Sequence, residues 1–332
     1  MRIKKKHSII LLVLLLCIPL FAYFHLFAGQ IRISFHDFWN SLFNFNDQFS
    51  NEIIAREVRI PRLIMGLIAG ASLSVVGLLM QTLFNNPLAG PYVLGINSGS
   101  SLFVALSIMT GIPFFASDFG VITNALIGAF IFGIIILFFA KMVRSQIALL
   151  LVGLMLGSFI SAFVSFIQSA SNAQELKVFT LWALGSLQKV EFNQIPIILL
   201  ISITGILGAF LLVKPLNILV LGENEAKLLG INIKRVRILI IIITAILTGL
   251  ITAFCGPIAF VGLAVPNLVR IIFKTQQHLV LITACILAGA LFVMSCDILI
   301  QLVEPHFMLP INVLTSMIGA PMVILFILNR LK

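Results

Sequence analysis

The chain has 332 residues, of which 61% are hydrophobic and only 10% charged, with a net charge of +10 and a mean hydropathy of +1.18. That apolar excess excludes an ordinary soluble domain and calls for a bilayer, whose hydrocarbon core admits only helices or closed barrels. The apolar runs are too continuous for the period-two pattern of barrel strands, so the composition predicts an all-α polytopic membrane protein.

At about 20 apolar residues per crossing, about ten transmembrane helices are expected. The first covers 8–28, after Arg2, Lys4, Lys5 and Lys6. It is too long for a signal peptide, and no small-residue cleavage site follows it. Segment 29–58 holds Asp37, Asp47, Glu52, Glu57 and several aromatics, which suits a polar stretch partly at the interface. Further spans are expected at 60–83, 94–112, 120–140 and 147–170. A polar loop, 171–192, then carries Trp182, Gly185 and Ser186. The next span covers 193–213, and 214–236 is the largest segment expected in the cytoplasm. The last spans fall at 237–254, 256–272, 278–302 and 309–328.

An even span count with Lys4 to Lys6 inside puts both termini in the cytoplasm. Of the 21 Lys and Arg, only Arg32, Arg56, Arg59, Arg62, Lys177 and Lys189 then lie outside, in keeping with the positive-inside rule. Topology thus accounts for the basic charge, and no nucleic-acid surface is indicated. Cys17, Cys255, Cys285 and Cys296 all sit in apolar runs without metal-ligand spacing and read as small buried hydrophobes. His25, His278 and His306 lie near span ends in separate segments and read as interfacial. No Ser/His, Cys/His or paired-carboxylate set is present to run a membrane-embedded reaction.

Three columns of small residues share helix faces: Gly66, Gly70 and Ser74; Gly153, Gly157, Ser161 and Ser165; and Thr244, Thr248 and Thr252. Such columns either let helices pack closely or line a conduit. Asp297 is the one acidic residue in the body of an apolar run. It reads either as a structural polar contact or as a group that handles protons or substrate. In 214–236, Glu223 and Glu225 open a short helical run, where their charge suits the positive end of the helix dipole. Gly230 closes the run. The resulting amphipathic helix fits a groove on a soluble partner or a basic-flanked lipid surface.

Five ordered segments, RIPRLIMGLIAGASLSVVGLLMQTLFNNPLAGPYVLGINSGS (59–100), LWALGSL (181–187), GENEAKLLGI (222–231), GPIAFVGLAVPNLVR (256–270) and LPINVLTSMIGAPMVILFIL (309–328), together resemble the FecCD-type permeases. These are the membrane subunits of ABC importers for iron–siderophores, haem and cobalamin. The resemblance implies one permease domain over 1–332, with a coupling loop at 214–236. It implies three protein partners: a separate ATPase subunit, a second permease copy or paralogue, and an extracytoplasmic binding protein.

By the same resemblance, Glu223, Asn224, Glu225, Ala226, Leu229 and Gly230 would contact the ATPase. Arg59 and Arg62 would meet acidic residues of the binding protein, with headgroup snorkelling as the alternative. The pore would be lined by Ser158, Ser161, Ser165 and Gln168 on the fifth span, and by Met317 with Gly319 on the tenth. The chain departs from relatives at Asn267, at Lys274 to His278, and at Gln301, where relatives often carry an outer arginine. No Walker A pattern occurs, so ATP hydrolysis is expected elsewhere. No catalytic residue, bound metal or cofactor of its own is expected. The cargo expectation is a ferric siderophore, with haem and cobalamin open. The rival reading is a secondary carrier driven by an ion gradient, with Asp297 central.

Overall fold

The computed structural model describes residues 5–27, 31, 33–110, 118–143, 145–304 and 309–331. Arg2, Lys4, Arg32, Arg144, His306 and Lys332 fall outside these. The described residues form helices without strands. In chain order they are α1 (Lys5–Phe27), α2 (Phe35–Phe43), α3 (Ser50–Ile53) and a π-helical turn (Ile54–Arg59) that runs into α4 (Ile60–Leu83). A 3₁₀ turn (Pro91–Leu94) precedes α5 (Ile96–Met109), followed by α6 (Asp118–Met142), α7 (Gln146–Ala170), α8 (Ala173–Ala183) and α9 (Ile195–Leu211). The remainder are α10 (Val213–Leu219), α11 (Glu223–Leu228), α12 (Ile233–Cys255), α13 (Val261–Phe273), α14 (His278–Val303) and α15 (Ile311–Leu331).

Each of the ten expected spans has its helix. Eight helical stretches among the described residues are long and apolar enough to cross a membrane, whereas α5 and α13 are shorter. Segment 214–236 contains a short helix where Glu223 and Glu225 open one, α11, with α10 before it and the start of α12 after it. Local chemistry sets several boundaries. Ser34 with Asp37 and Asn172 with Glu175 close capping boxes at the starts of α2 and α8. Asn232 caps α12, and Gly256 at φ +73° ends it.

Helix α4 is the hub. It is buried along nearly its whole length and packs on α12, α13 and α14. The close approach depends on glycine. A Cβ added at Gly70 would fall 2.1 Å from the Gly289 carbonyl oxygen on α14. One at Gly77 would fall 1.8 Å from the Gly262 carbonyl oxygen on α13. Small residues let backbones meet where lipid provides no hydrophobic drive between helices. The column Gly66, Gly70, Ser74 is therefore a packing seam. Thr244, Thr248 and Thr252 are likewise buried. The α7 column divides: Gly157 sits beside Ser98 and Gly95, while Ser161 and Ser165 are exposed.

The two short helices have a common cause. The segment 256–260, expected as the start of a span, is not helical. It enters the bundle, since Gly262 lies beside Leu73 and Gly77 in the middle of α4, and Phe260 lies against Gly319 in the middle of α15. Residues 84–95 enter from the opposite end, with Gly95 beside Gly153 and Gly157 in the middle of α7. The Tyr92 hydroxyl joins the two, donating to the Ile258 carbonyl and accepting from the Ile258 amide at 2.7 Å. Asn312 Oδ1 accepts from the Ala259 amide at 3.0 Å. Irregular backbone at this depth is thus buried in protein and supplied with partners, the condition under which a membrane tolerates it.

Overpacking the α4 seam should destabilise the bundle. Gly77→Ala is expected to cost about 1–3 kcal/mol and to lower the thermal unfolding midpoint of the purified protein. Gly90→Ala, whose Cβ would lie 3.5 Å from Leu263 Cγ, should leave that midpoint unchanged.

Candidate functional site

Two polar constructions stand at opposite ends of the bundle. At the end that holds Lys5 and Lys6, α10, α11 and the start of α12 form a compact projection. The chain reverses at Gly222, whose φ of +123° favours glycine, and leaves α11 at Gly230, φ +79°. Ala226 is fully buried and packs with Leu219 and Ile233 in a small apolar cluster of its own. Glu223 Oε1 accepts from Arg237 NH2 at 3.2 Å and from Gln146 Nε2 at 2.9 Å. Arg237 NH1 donates to the Val143 carbonyl at 2.9 Å. The projection is thereby braced to α12 and to the start of α7.

Among the residues expected at an ATPase contact, Asn224, Glu225, Leu229 and Gly230 are exposed. Ala226 is buried and Glu223 is half-buried. Ala226 faces inward because its methyl fills the small core, and the Glu223 carboxylate is engaged by Arg237 and Gln146. Sequence reasoning did not single out Leu221 and Leu228, both exposed; Leu228 is 88% exposed, extreme for a leucine. An apolar residue at the last helical position, beyond the acidic first turn, was the available signal.

At the opposite end Arg62 is buried, only 6% exposed. Its Nε and NH2 donate to Asp297 Oδ2 and Oδ1 at 2.7 and 3.0 Å, a bidentate pair, and NH1 donates to Glu304 Oε2 at 3.2 Å. Gln188 Nε2 donates to the other Glu304 oxygen at 2.6 Å. His25 Nε2 lies 2.7 Å from Asp297 Oδ2. A contact that short to a carboxylate oxygen puts the ring proton on Nε2, so the Gln301 amide 3.1 Å away donates to Asp297 instead, at 3.2 Å. A cavity of about 340 Å³ opens beside this cluster, lined by Arg62, Ser186, Gln188, Lys189, Asp297 and Glu304 among others.

The geometry corrects the picture of two arginines presented outward. Arg59 is buried too, donating to the Leu26 and Ile31 carbonyls at 2.9 Å each. Both guanidinium groups are spent within the chain. They hold α1 and α14 against α4, because a buried cation must find acceptors or not be buried at all. Asp297 has partners from α1, α4 and its own helix. His25, expected at an interface, is fully buried. Neither His25 with Asp297 nor Gln188 with Glu304 could be paired by sequence spacing, since more than 100 residues separate the members of each pair.

The expected pore residues lie elsewhere. Ser158 and Ser161 are exposed on α7 and return hydrogen bonds to the Leu154 and Gly157 carbonyls. Ser165 is exposed and Gln168 half-buried on the same helix. Met317 on α15 is 66% exposed, while Gly319 is buried under Phe260. No group of His, Cys, Asp or Glu able to hold a metal occurs among the described residues.

Comparison with known proteins decides the family. The profile of the FecCD transport family matches residues 11–329. The chain belongs to the FecCD transport family. Among its relatives, the hemin transport system permease protein HmuU of Yersinia pestis is 32% identical over 309 residues, covering 91% of this chain and 90% of HmuU. The vitamin B12 import system permease protein BtuC of Vibrio cholerae is 33% identical over 301 residues, covering 90% and 88%. A solved metal-chelate-type ABC transporter in an inward-facing conformation superposes with a TM-score of 0.86 at 27% identity, covering 97% of this chain and 99% of that one. Membership makes the protein an ABC-transporter permease, a transport subunit and not an enzyme, and sets aside the ion-driven carrier.

Removing one partner of the buried ion pair should be costly. Asp297→Asn leaves the Arg62 guanidinium with Glu304 as its remaining anionic partner and should lose up to about 3 kcal/mol, read as a lower unfolding midpoint in detergent. The double variant Arg62→Met with Asp297→Leu should recover a large part of that loss.

Proposed function

We propose that this permease forms half of a translocation pore that carries an iron–siderophore-type chelate across the cytoplasmic membrane of a prokaryote. A second copy or a paralogue supplies the other half. An extracytoplasmic binding protein delivers the cargo, and a separate ATPase subunit supplies the energy. Both termini face the cytoplasm in this reading, which puts the α10–α12 projection inside and the Arg62–Asp297 cluster outside.

The observation that carries the proposal is the projection itself. A six-residue helix has little stability of its own, yet α11 is fixed by the Glu223–Arg237 pair and by Ala226 in its small core. Rigid mounting leaves Leu221, Leu228 and Leu229 standing in solvent. Three exposed leucines, one on the braced helix and one beyond each of its ends, suit a groove on a soluble partner. Differential affinity of an ATPase dimer for two pore states would then move the permease between inward-open and outward-open forms.

In this reading the exposed serines of α7, interleaved with Phe159, Phe163 and Phe166, and Met317 of α15 form a weakly polar wall. Such a wall passes a bulky chelate without a deep binding well. Hemin and vitamin B12, named in the relatives, are the alternative cargoes.

Leu228→Asp with Leu229→Asp should leave the isolated permease as stable as before, because both side chains are exposed. Each aspartate should cost about 2 kcal/mol of ATPase docking, roughly thirtyfold in affinity, measured by co-purification and by nucleotide-dependent uptake in proteoliposomes. Unchanged assembly and uptake would remove the projection from the coupling path. Uptake assays with ferric siderophore, haem and cobalamin, each loaded on the cognate binding protein, then separate the cargoes.

A further inference from the structure

Helix α2 has no part in the pore, the coupling projection or the ion-pair cluster, yet its sequence FHDFWNSLF is sharply two-sided. Around the helix axis, Phe38, Leu42, Phe35, Trp39 and Phe43 fill one continuous arc, and His36, Asn40, Asp37 and Ser41 fill the other. The polar arc is tied down. Ser34 and Asp37 close the capping box, Asn51 Nδ2 donates to Asp37 Oδ2 at 3.1 Å, and Ser41 is buried, its hydroxyl donating to the Phe38 carbonyl at 2.7 Å. Hydrogen bonding to Ser34 and Asn51 holds the Asp37 carboxyl below its ordinary pKa, so that arc stays charged.

The apolar arc is bare. Phe35, Trp39, Leu42 and Phe43 are all exposed, Trp39 by 51%. Their rings form a row, with centroids 6.3 Å apart for Phe35–Trp39 and 4.7 Å for Trp39–Phe43. The row continues onto a membrane-spanning helix. Phe38 lies 6.2 Å from Phe27, the last residue of α1, and Phe27 lies 4.7 Å from Tyr23. Tyr23 and Phe24 are exposed on α1, a helix long and apolar enough to cross a membrane. The depth of α2 is thus fixed at the end of a helix that crosses the core.

We infer that α2 lies flat in the membrane–water boundary beside the outer end of α1, with its aromatic arc set into the lipid. Three features of the helix favour lipid over a protein partner. The arc carries no charge. It is continuous with a surface that already faces acyl chains. It places a tryptophan at the level where indoles, with an apolar body and one N–H donor, are enriched. Amphipathic helices of this kind sink about 5–10 Å into the boundary. The Arg56 guanidinium, between the Phe45 and Phe192 rings at 4.3 and 4.9 Å, pins the segment after α2 to the start of α9. The helix would then act as a float that fixes the height of the α1–α4 connection.

The chain has only two tryptophans, and Trp182 is 4% exposed, so fluorescence can read Trp39 directly. The Trp182→Phe full-length chain is reconstituted in vesicles whose lipid carries bromine near the glycerol end of the acyl chain, and in vesicles brominated near the terminal methyl. The expected result is loss of most Trp39 emission with the shallow label, little loss with the deep label, and strong protection from aqueous iodide. Should Trp182→Phe fail to fold, the difference between the native chain and Trp39→Phe gives the same signal. Free quenching by iodide with no response to brominated lipid overturns the inference. So does protection that appears only when a soluble binding protein is added, because the arc would then belong to that partner.

Discussion

A backbone amide in hydrocarbon has no water to bond, and this constraint governs where the chain can be irregular. The fold breaks its helices twice inside the bundle, at 89–95 and at 256–260, and both breaks are bordered by α4, α7, α13 and α15. Tyr92 then gives the second break what a helix would have given it: its hydroxyl serves both the amide and the carbonyl of Ile258. The two interruptions come from opposite ends of the bundle and meet, so a side chain of the first supplies the backbone partner that the second lacks. Such paired breaks are a recurrent device where a transport path must pass the midplane. They also explain why α5 and α13 are shorter than a full crossing.

Because the breaks must be enclosed, α4 must be approached on several sides, and glycine makes this possible. Gly70 against Gly289 and Gly77 against Gly262 bring α14 and α13 to backbone contact. The polar cluster at the outer end works with the same seam. Arg62 starts α4 and reaches Asp297 on α14, while His25 brings α1 to the same carboxylate. A buried ion pair contributes less to net stability than to specificity, since desolvation offsets much of the attraction. Here the pair fixes the register of α4 against α14, the two helices whose glycines must meet without slip.

Much of this was legible in the sequence, and the parts that were not share a physical reason. Ten apolar runs gave ten helices because hydropathy is a local signal with a length fixed by the bilayer. The family was legible for a different reason, since five motifs in order over most of the chain are specific where any one is weak. Burial of individual polar side chains was not legible. Arg59 and Arg62 sit at a span boundary, where arginine commonly snorkels to water, and nothing within ten residues of either shows that Asp297, Glu304 and two backbone carbonyls wait for them. Ala226 failed for the same reason: its partners Leu219 and Ile233 enclose it only once the hairpin has formed. Segment 256–260 was read as helix because Ile258 and Phe260 are apolar. Gly256 and Pro257 were the local warning, and Phe260, at positive φ, packs against Gly319, a contact distant in sequence.

The braced projection and the ion-pair cluster are linked through the hub. Helix α12 carries Arg237 at one end and packs along α4, whose other end carries Arg62. In the proposed function, a push on α11 would be passed by the Glu223–Arg237 pair to α12, whose close packing favours movement as a unit. The α4 seam is backbone against backbone at Gly70 and Gly77, so it has no side chains to absorb a displacement. In the proposed function, motion would then fall to α7 and α15, whose outer faces carry the exposed Ser158, Ser161, Ser165 and Met317. A stiff centre would in that reading let a small displacement at the projection change the width of the pore without unpacking the bundle.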